Sequence, residues 1–174
     1  MIIPKEIIAE EKELAGLTES QLTLRMLSVE QYIRNMTNNC FTVRGIDFKG
    51  EVENGAVNGF HPNIKAGDRV EIDDGGVNDG LYDVVSVVDS VTKLDSKLCD
   101  GGTVTVRLVK YPSDIVMGAL NLIKWDERHR ERMGLQAETL SRHTLSYDVN
   151  ADTKGQGYPR SMLGFLKGHK KARF

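Results

Sequence analysis

The chain predicts an α+β fold: a small helical bundle of N-terminal helices and a long C-terminal helix, with an inserted small antiparallel β-barrel or sandwich module. Three observations predict it. Apolar residues recur at helical spacing before residue 40 and after residue 111. Between those points the period falls to two, and short β-branched runs are separated by Gly turns. Charge changes at the same places: residues 40–111 hold 8 basic and 12 acidic side chains, residues 112–174 hold 11 and 7. The reading is a discontinuous helical body, 1–39 and 112–174, interrupted by a β module, 40–111. Insertion at a helix–helix connection is cheap, because such loops lie at the surface.

Residues 4–14 predict a short helix that begins at Pro4 and is ended by Gly16. Thr18 opens a second helix, and Gln21, three residues on, completes a capping box. Leu22, Met26, Val29, Ile33 and Met36 make a stripe along it. Leu24, Leu27 and Tyr32 widen that stripe, so burial on more than one face is expected. The pair Asn38-Asn39 stops the helix. Phe41, Val43, Ile46 and Phe48 then give short extended pieces broken by Gly45 and Gly50. The Gly- and Asn-rich tract 51–60 reads as loop or hairpin. A turn at 65–68 launches a strand at 69–72, and 73–80 is turn-rich. Residues 81–88 predict a central strand and 91–94 a weaker one. In 103–109, Val104, Val106 and Leu108 alternate with Thr105 and Arg107, and several such short strands fit a small barrel or sandwich.

Pro112 suits the first position of the long helix, which runs to Gly134 over roughly 33 Å. Asp114 meets the positive end of the helix dipole. Ile115, Ala119, Leu122, Ile123 and Trp125 form the apolar face. Lys124, Arg128, Arg130 and Arg132 crowd the last turns, where cations match the negative end. Residues 136–148 fit helix or strand, with a weak alternation over 140–147 favouring an extended arm, and 150–157 reads as a polar loop. Pro159 begins a last short helix carrying Met162, Leu163, Phe165 and Leu166, stopped by Gly168. The closing HKKARF is expected to be poorly packed unless a partner holds it.

A formal net charge of -2 excludes a strongly basic nucleic-acid binder. Cys40 and Cys99 are too few and too far apart for a disulfide scaffold and are expected to pack as small reduced hydrophobes. The first residues carry acids where a signal peptide needs a basic end, and the apolar run 115–123 is about half a membrane span, so no membrane role is expected. His61, His129, His143 and His169 have no metal-ligand spacing. The stretch DDGGVNDG fails as a calcium loop, because the alternating ligand positions fall on Gly75 and Val77. Neither a phosphate loop nor a nucleophile elbow is present. The chain is therefore expected to be no enzyme and to use no cofactor. The basic segment 160–174 fits an acidic groove on a protein, with Phe174 as an aromatic anchor, or duplex phosphate.

The stretch YPSDIVMGALNLIKWDERHRERMGLQAETLSRHTLSYD, followed by GYPRSMLGFLKGHKKARF, resembles tailed-bacteriophage head-to-tail connector proteins, the head-completion adaptors of siphophages and prophages of Gram-positive bacteria. The motifs are the YPxDI start with NLIKW, the ETLSRH segment, and the closing GYP helix with its KARF end. The middle stretch GDRVEI…NDGLYDVVSV is similar to a β insertion in a subset of that family. The resemblance implies a structural virion protein, made in the host bacterial cytoplasm and placed at the head–tail neck. It implies a homo-oligomeric ring, usually of twelve copies, beneath the portal. Such a ring extends the channel for viral double-stranded DNA without specific binding and presents a surface for a neck, stopper or tail-completion protein.

Carried onto this chain, the resemblance makes Tyr158, Pro159, Phe165, Lys170, Lys171, Arg173 and Phe174 candidates for docking on the portal protein. Trp125, Arg128 and Arg132 become candidates for a subunit contact. A ring uses heterologous interfaces, two different faces of one subunit, and the acidic middle and basic C-terminal parts fit that need. The alternative from the residues alone is a DNA-binding accessory protein acting through the basic tail. A third reading gives the module 40–111 a small-molecule ligand.

Overall fold

The computed structural model describes residues 1–129, 137–140, 143–146 and 158–172. Helices and an antiparallel sheet share the chain, an α+β fold. Contacts divide it into two compact units: residues 40–111 with Met1, and residues 2–39 with 112–174.

The first unit is built from β1 (Thr42–Glu53), β2 (Ala56–Asn58), β3 (Arg69–Asp73), β4 (Gly80–Val88), β5 (Val91–Leu94) and β6 (Thr103–Val109). Every pairing is antiparallel, and the order β1-β2-β5-β4-β3-β6 returns to β1, so the ladder closes into a barrel. Alternation sends Val52, Val57, Val70, Ile72, Val84, Val104 and Val106 inward, where they meet Ile64 and Leu98 from the loops. Outward positions carry the charge. Arg107 stands in register between Asp47 of β1 and Glu71 of β3 and forms an ion pair with Asp73. That bond holds the Asp73 carboxyl below its ordinary range.

Two features of this unit depart from expectation. Residues 42–53 are one long strand, not short pieces broken by glycine, whereas the tract 51–60 is the hairpin, one of its two readings: β1 turns through Asn54-Gly55 into β2. Gly45 does not end β1. Its φ of 78° lies within the register shift between Thr42 and Asp47, so it acts as a bulge. Gly50 is where β2 crosses closest: a Cβ there would lie 2.5 Å from the Asn58 carbonyl oxygen. Cys40 and Cys99 are both exposed thiols, not buried small hydrophobes, because each lies outside the strands and so outside the alternating core.

The turn-rich stretch 73–80 conceals a side-chain clip. Asn78 is buried, donates through Nδ2 to the Cys99 carbonyl at 2.9 Å, and accepts from the Cys99 N–H at Oδ1 at 2.8 Å. One amide thus satisfies both backbone groups of a loop residue.

In the second unit, the expected helix 4–14 is two pieces: α1 (Lys5–Ala9) and a 3-10 turn at Lys12–Leu14. Ile8 and Leu14 are both buried. Six residues apart, they could not share one face of a continuous helix at ~100° per residue, and the extended Glu11 between them resolves this. α2 (Glu19–Thr37) starts on the capping box, with Thr18 and Gln21 each accepting the other's backbone N–H. It ends at Asn38 in the left-handed region. Met26, Val29 and Ile33 are buried, but Leu24 is 69% and Leu27 43% exposed, so α2 is buried on one face only. Leu24 lies about 160° around the helix from Met26, too far to reach the same side.

α3 (Ser113–His129) starts one residue after Pro112, whose carbonyl accepts the Val116 N–H at 3.1 Å. Ile115, Ala119, Leu122 and Ile123 are fully buried, and Leu120 joins them. β7 (Ala137–Leu140) and β8 (His143–Ser146) pair antiparallel within the region read as an extended arm. A 3-10 helix at Arg160–His169 closes the description. Among the described residues no helix is long and apolar enough to cross a membrane.

Replacing Asn78 with Ala removes both bonds to the Cys99 backbone, which lies on an exposed residue and can turn to water, at about 0.5–1.5 kcal/mol each. Asn78→Ala is expected to lower the urea midpoint of the barrel unit by the equivalent of about 1–3 kcal/mol, and Asn78→Asp, which keeps the acceptor, by less. A midpoint unchanged in both variants would remove the clip from the account.

Candidate functional site: the C-terminal strap along the long helix

Residues 158–172 run as a strap against α2 and α3. At the near end Tyr158 is wedged between two rings: Tyr32 of α2 at a centroid distance of 5.2 Å and Trp125 of α3 at 5.7 Å, both tilted. Its hydroxyl donates to Asp126 at 2.7 Å. Burial, then the bond to Asp126, then the charge on Asp126 push the Tyr158 phenol well above its ordinary value, so it stays a neutral donor. Burial also raises Tyr32, whose hydroxyl oxygen is buried without a hydrogen-bond partner among the described residues. Pro159 caps the 3-10 helix, its carbonyl accepting the Met162 N–H at 3.0 Å.

The middle of the strap packs into α3. Phe165 lies on Gly118, where any Cβ would collide with the ring. Asp114, Met117, Gly118, Asn121, Lys124, Trp125 and Arg128 recur every three or four residues and so share one side of α3. With Ser161, Met162 and Phe165 opposite, they line a groove of about 610 Å3.

The far end is clamped. His169 Nε2 meets Asp114 Oδ2 at 2.7 Å. Asn39 Nδ2 donates to the His169 carbonyl at 3.1 Å and Asn38 Nδ2 to the Ala172 carbonyl at 3.1 Å. The Lys171 N–H donates to the Thr37 carbonyl at 2.8 Å, satisfying one of the carbonyls that a helix end leaves open. Thr37 is itself buried, its hydroxyl bonded to the Ile33 carbonyl at 2.7 Å. The bond from His169 is the main reason the Asp114 carboxyl titrates below its ordinary range.

The cations of α3 are met within the chain. Lys124 pairs with Glu11 at 2.6 Å. Arg128 takes both carboxylate oxygens of Glu13, which lowers Glu13 and raises Arg128. Arg25 of α2 pairs with Glu127.

The structure therefore brings Trp125, Tyr158 and Phe165 together along one helix, with Pro159 at the start of the strap. It leaves the Lys170 and Lys171 side chains exposed on the clamped backbone. Arg128 is 61% exposed yet engaged by Glu13, so its guanidinium is not an open cation. Arg132, Arg173 and Phe174 lie outside the described residues. The expectation of a poorly packed end is corrected as far as Ala172: the clamp fixes the backbone there from within the chain. Sequence reasoning missed Gly118, Tyr32 and the partners of the strap. A glycine in mid-helix was the available signal for the first, since an interior glycine is costly unless something packs on it. Among the described residues no group of three His, Cys, Asp or Glu side chains is placed to hold a metal.

The pair at the far end has a sign. Because the folded-state carboxyl of Asp114 is lowered, its contribution is present above the ordinary value of 3.8 and is lost as pH falls through the lowered folded value. Asp114 is 55% exposed in its side chain, so the contribution is at most about 1 kcal/mol. Thermal melts of wild type and Asp114→Ala are expected to differ at neutral pH and to converge in acid below the carboxylate range. A difference that persists there would assign the effect to something other than the charge.

No protein-family model matches the chain, and no curated protein matches it.

Proposed function

We propose that the chain is a structural virion protein, a head-to-tail adaptor with a helical-bundle body that docks on a portal through the end of its strap. The observation that carries this reading is the exposure of the Lys170 and Lys171 side chains on a backbone fixed by Thr37, Asn38 and Asn39. A cationic end held at a set place suits recognition of an acidic protein surface, because less freedom is lost on binding than from a loose tail. The sequence continues from there into Arg173 and Phe174. The resemblance of residues 111–148 and 157–174 to connector proteins supports the same reading, and it brings the expected ring, its neck location and the tail-side partner. Trp125 beside the groove remains the candidate for a subunit contact. Arg128 would have to exchange Glu13 for a partner to join it, and Arg132 belongs to the proposal through the resemblance alone.

The experiment uses portal-bearing, DNA-filled heads that lack this chain. Purified wild-type subunit is expected to co-sediment with them, and Lys170→Glu/Lys171→Glu to bind at least tenfold more weakly. Equal binding by both forms would overturn the docking role of the strap. Retardation of short naked duplex DNA at ~0.1 M salt, lost in the same variant, would favour a DNA-binding accessory protein instead.

A further inference from the structure

Residues 160–169 form a ten-residue 3-10 helix. Such helices are usually one turn long, since their hydrogen bonds are poorer than those of an α-helix. The segment is not composed for it: Arg160, Met162, Leu163, Leu166 and Lys167 are good α-helix formers. Gly164 and Gly168 have open space where a Cβ would stand, so neither is there to admit a neighbour.

Burial along the segment has a period of three. Ser161, Gly164 and Lys167 are exposed, whereas Leu163, Leu166 and His169 turn inward, with Leu166 fully buried. Eclipsed i, i+3 side chains are the mark of the 3-10 form. An α-helix turns ~100° per residue against ~120°. Over the six residues from Leu163 to His169 the two forms therefore diverge by about 120°. An α-helix would fan Leu163, Leu166 and His169 over about 120° of its surface, where the 3-10 form stacks them in one line against the body and Asp114. The near end is fixed by Tyr158 against Tyr32, Trp125 and Asp126. The far end is fixed by Asp114, Asn39, Thr37 and Asn38.

We infer that this segment is a two-state element, held as a 3-10 helix by the far clamp and relaxing to an α-helix when the clamp opens. Ten residues span ~20 Å in the first form and ~15 Å in the second. Opening therefore draws residue 170 about 5 Å towards Tyr158 and, over the nine steps from Arg160, swings His169 off Asp114 by about half a turn. The cationic end beyond His169 moves with it. The device belongs to the subunit alone and does not depend on what Lys170 and Lys171 bind.

The test uses the full chain with Cys40→Ser and Cys99→Ser, and spin labels on Ser161→Cys and Lys170→Cys, both exposed positions. The clamp is opened by Asn38→Gly, Asn39→Ala and Asp114→Ala. The glycine keeps the left-handed backbone of Asn38 while removing its amide. With the clamp closed, one long distance is expected. With it open, a population about 4–5 Å shorter is expected, together with a gain in α-helical circular dichroism. If the triple variant no longer melts cooperatively, Asn38→Gly and Asp114→Ala are tested singly, with a smaller short population expected. An unchanged distance would overturn the inference, since the 3-10 form would then be intrinsic. A broad distribution without a shorter peak would also overturn it, since the segment would then melt and not shorten.

Discussion

The helical unit depends on how α2 ends. Thr37 is buried with its hydroxyl turned back on Ile33, and its carbonyl belongs to the last turn of the helix. Helix ends leave such carbonyls without intrahelical partners, and a partner must come from elsewhere. Here it is the backbone of Lys171, while Asn38 and Asn39 supply amides to the next carbonyls of the strap. A helix stop and a tail anchor are thus the same few residues. Without that junction Phe165 would have no fixed place on Gly118, and Lys170 and Lys171 would have no fixed direction.

The polar contacts that support this junction are short-range and mostly at the surface. Ion pairs of this kind contribute little singly, so the burial of Ile115, Leu122, Ile123 and Leu166 holds the body together. The pairs from Glu11, Glu13 and Glu127 to Lys124, Arg128 and Arg25 instead fix which faces meet. The barrel unit follows the same division of labour: valines and isoleucines fill its interior, while Asn78 and the Arg107–Asp73 pair fix loop and strand positions.

Local signals were legible in the sequence wherever one residue type has one local use. The capping box at Thr18 and Gln21, the stop at Asn38, and the strands at 91–94 and 103–109 follow from capping chemistry and period-two alternation. Readings failed where tertiary contact overrode local preference. Gly45 and Gly50 looked like breaks but serve as a bulge and a close crossing inside β1. Leu24 and Leu27 looked like core because composition does not say which side of a helix meets a neighbour. Of the site, the aromatic and cationic residues stood out as types. The clamp did not, since asparagine side chains bonded to a backbone some 130 residues away leave no mark in sequence spacing.

The central claim is that the lone chain docks its own C-terminal strap. Amide hydrogen exchange on the free subunit tests it most directly. The account predicts that the N–H groups of Met162 and Lys171, bonded to Pro159 and Thr37, are protected to a similar degree as those near the end of α2. Exchange of both at the rate of an unstructured peptide, with α2 still protected, would contradict it.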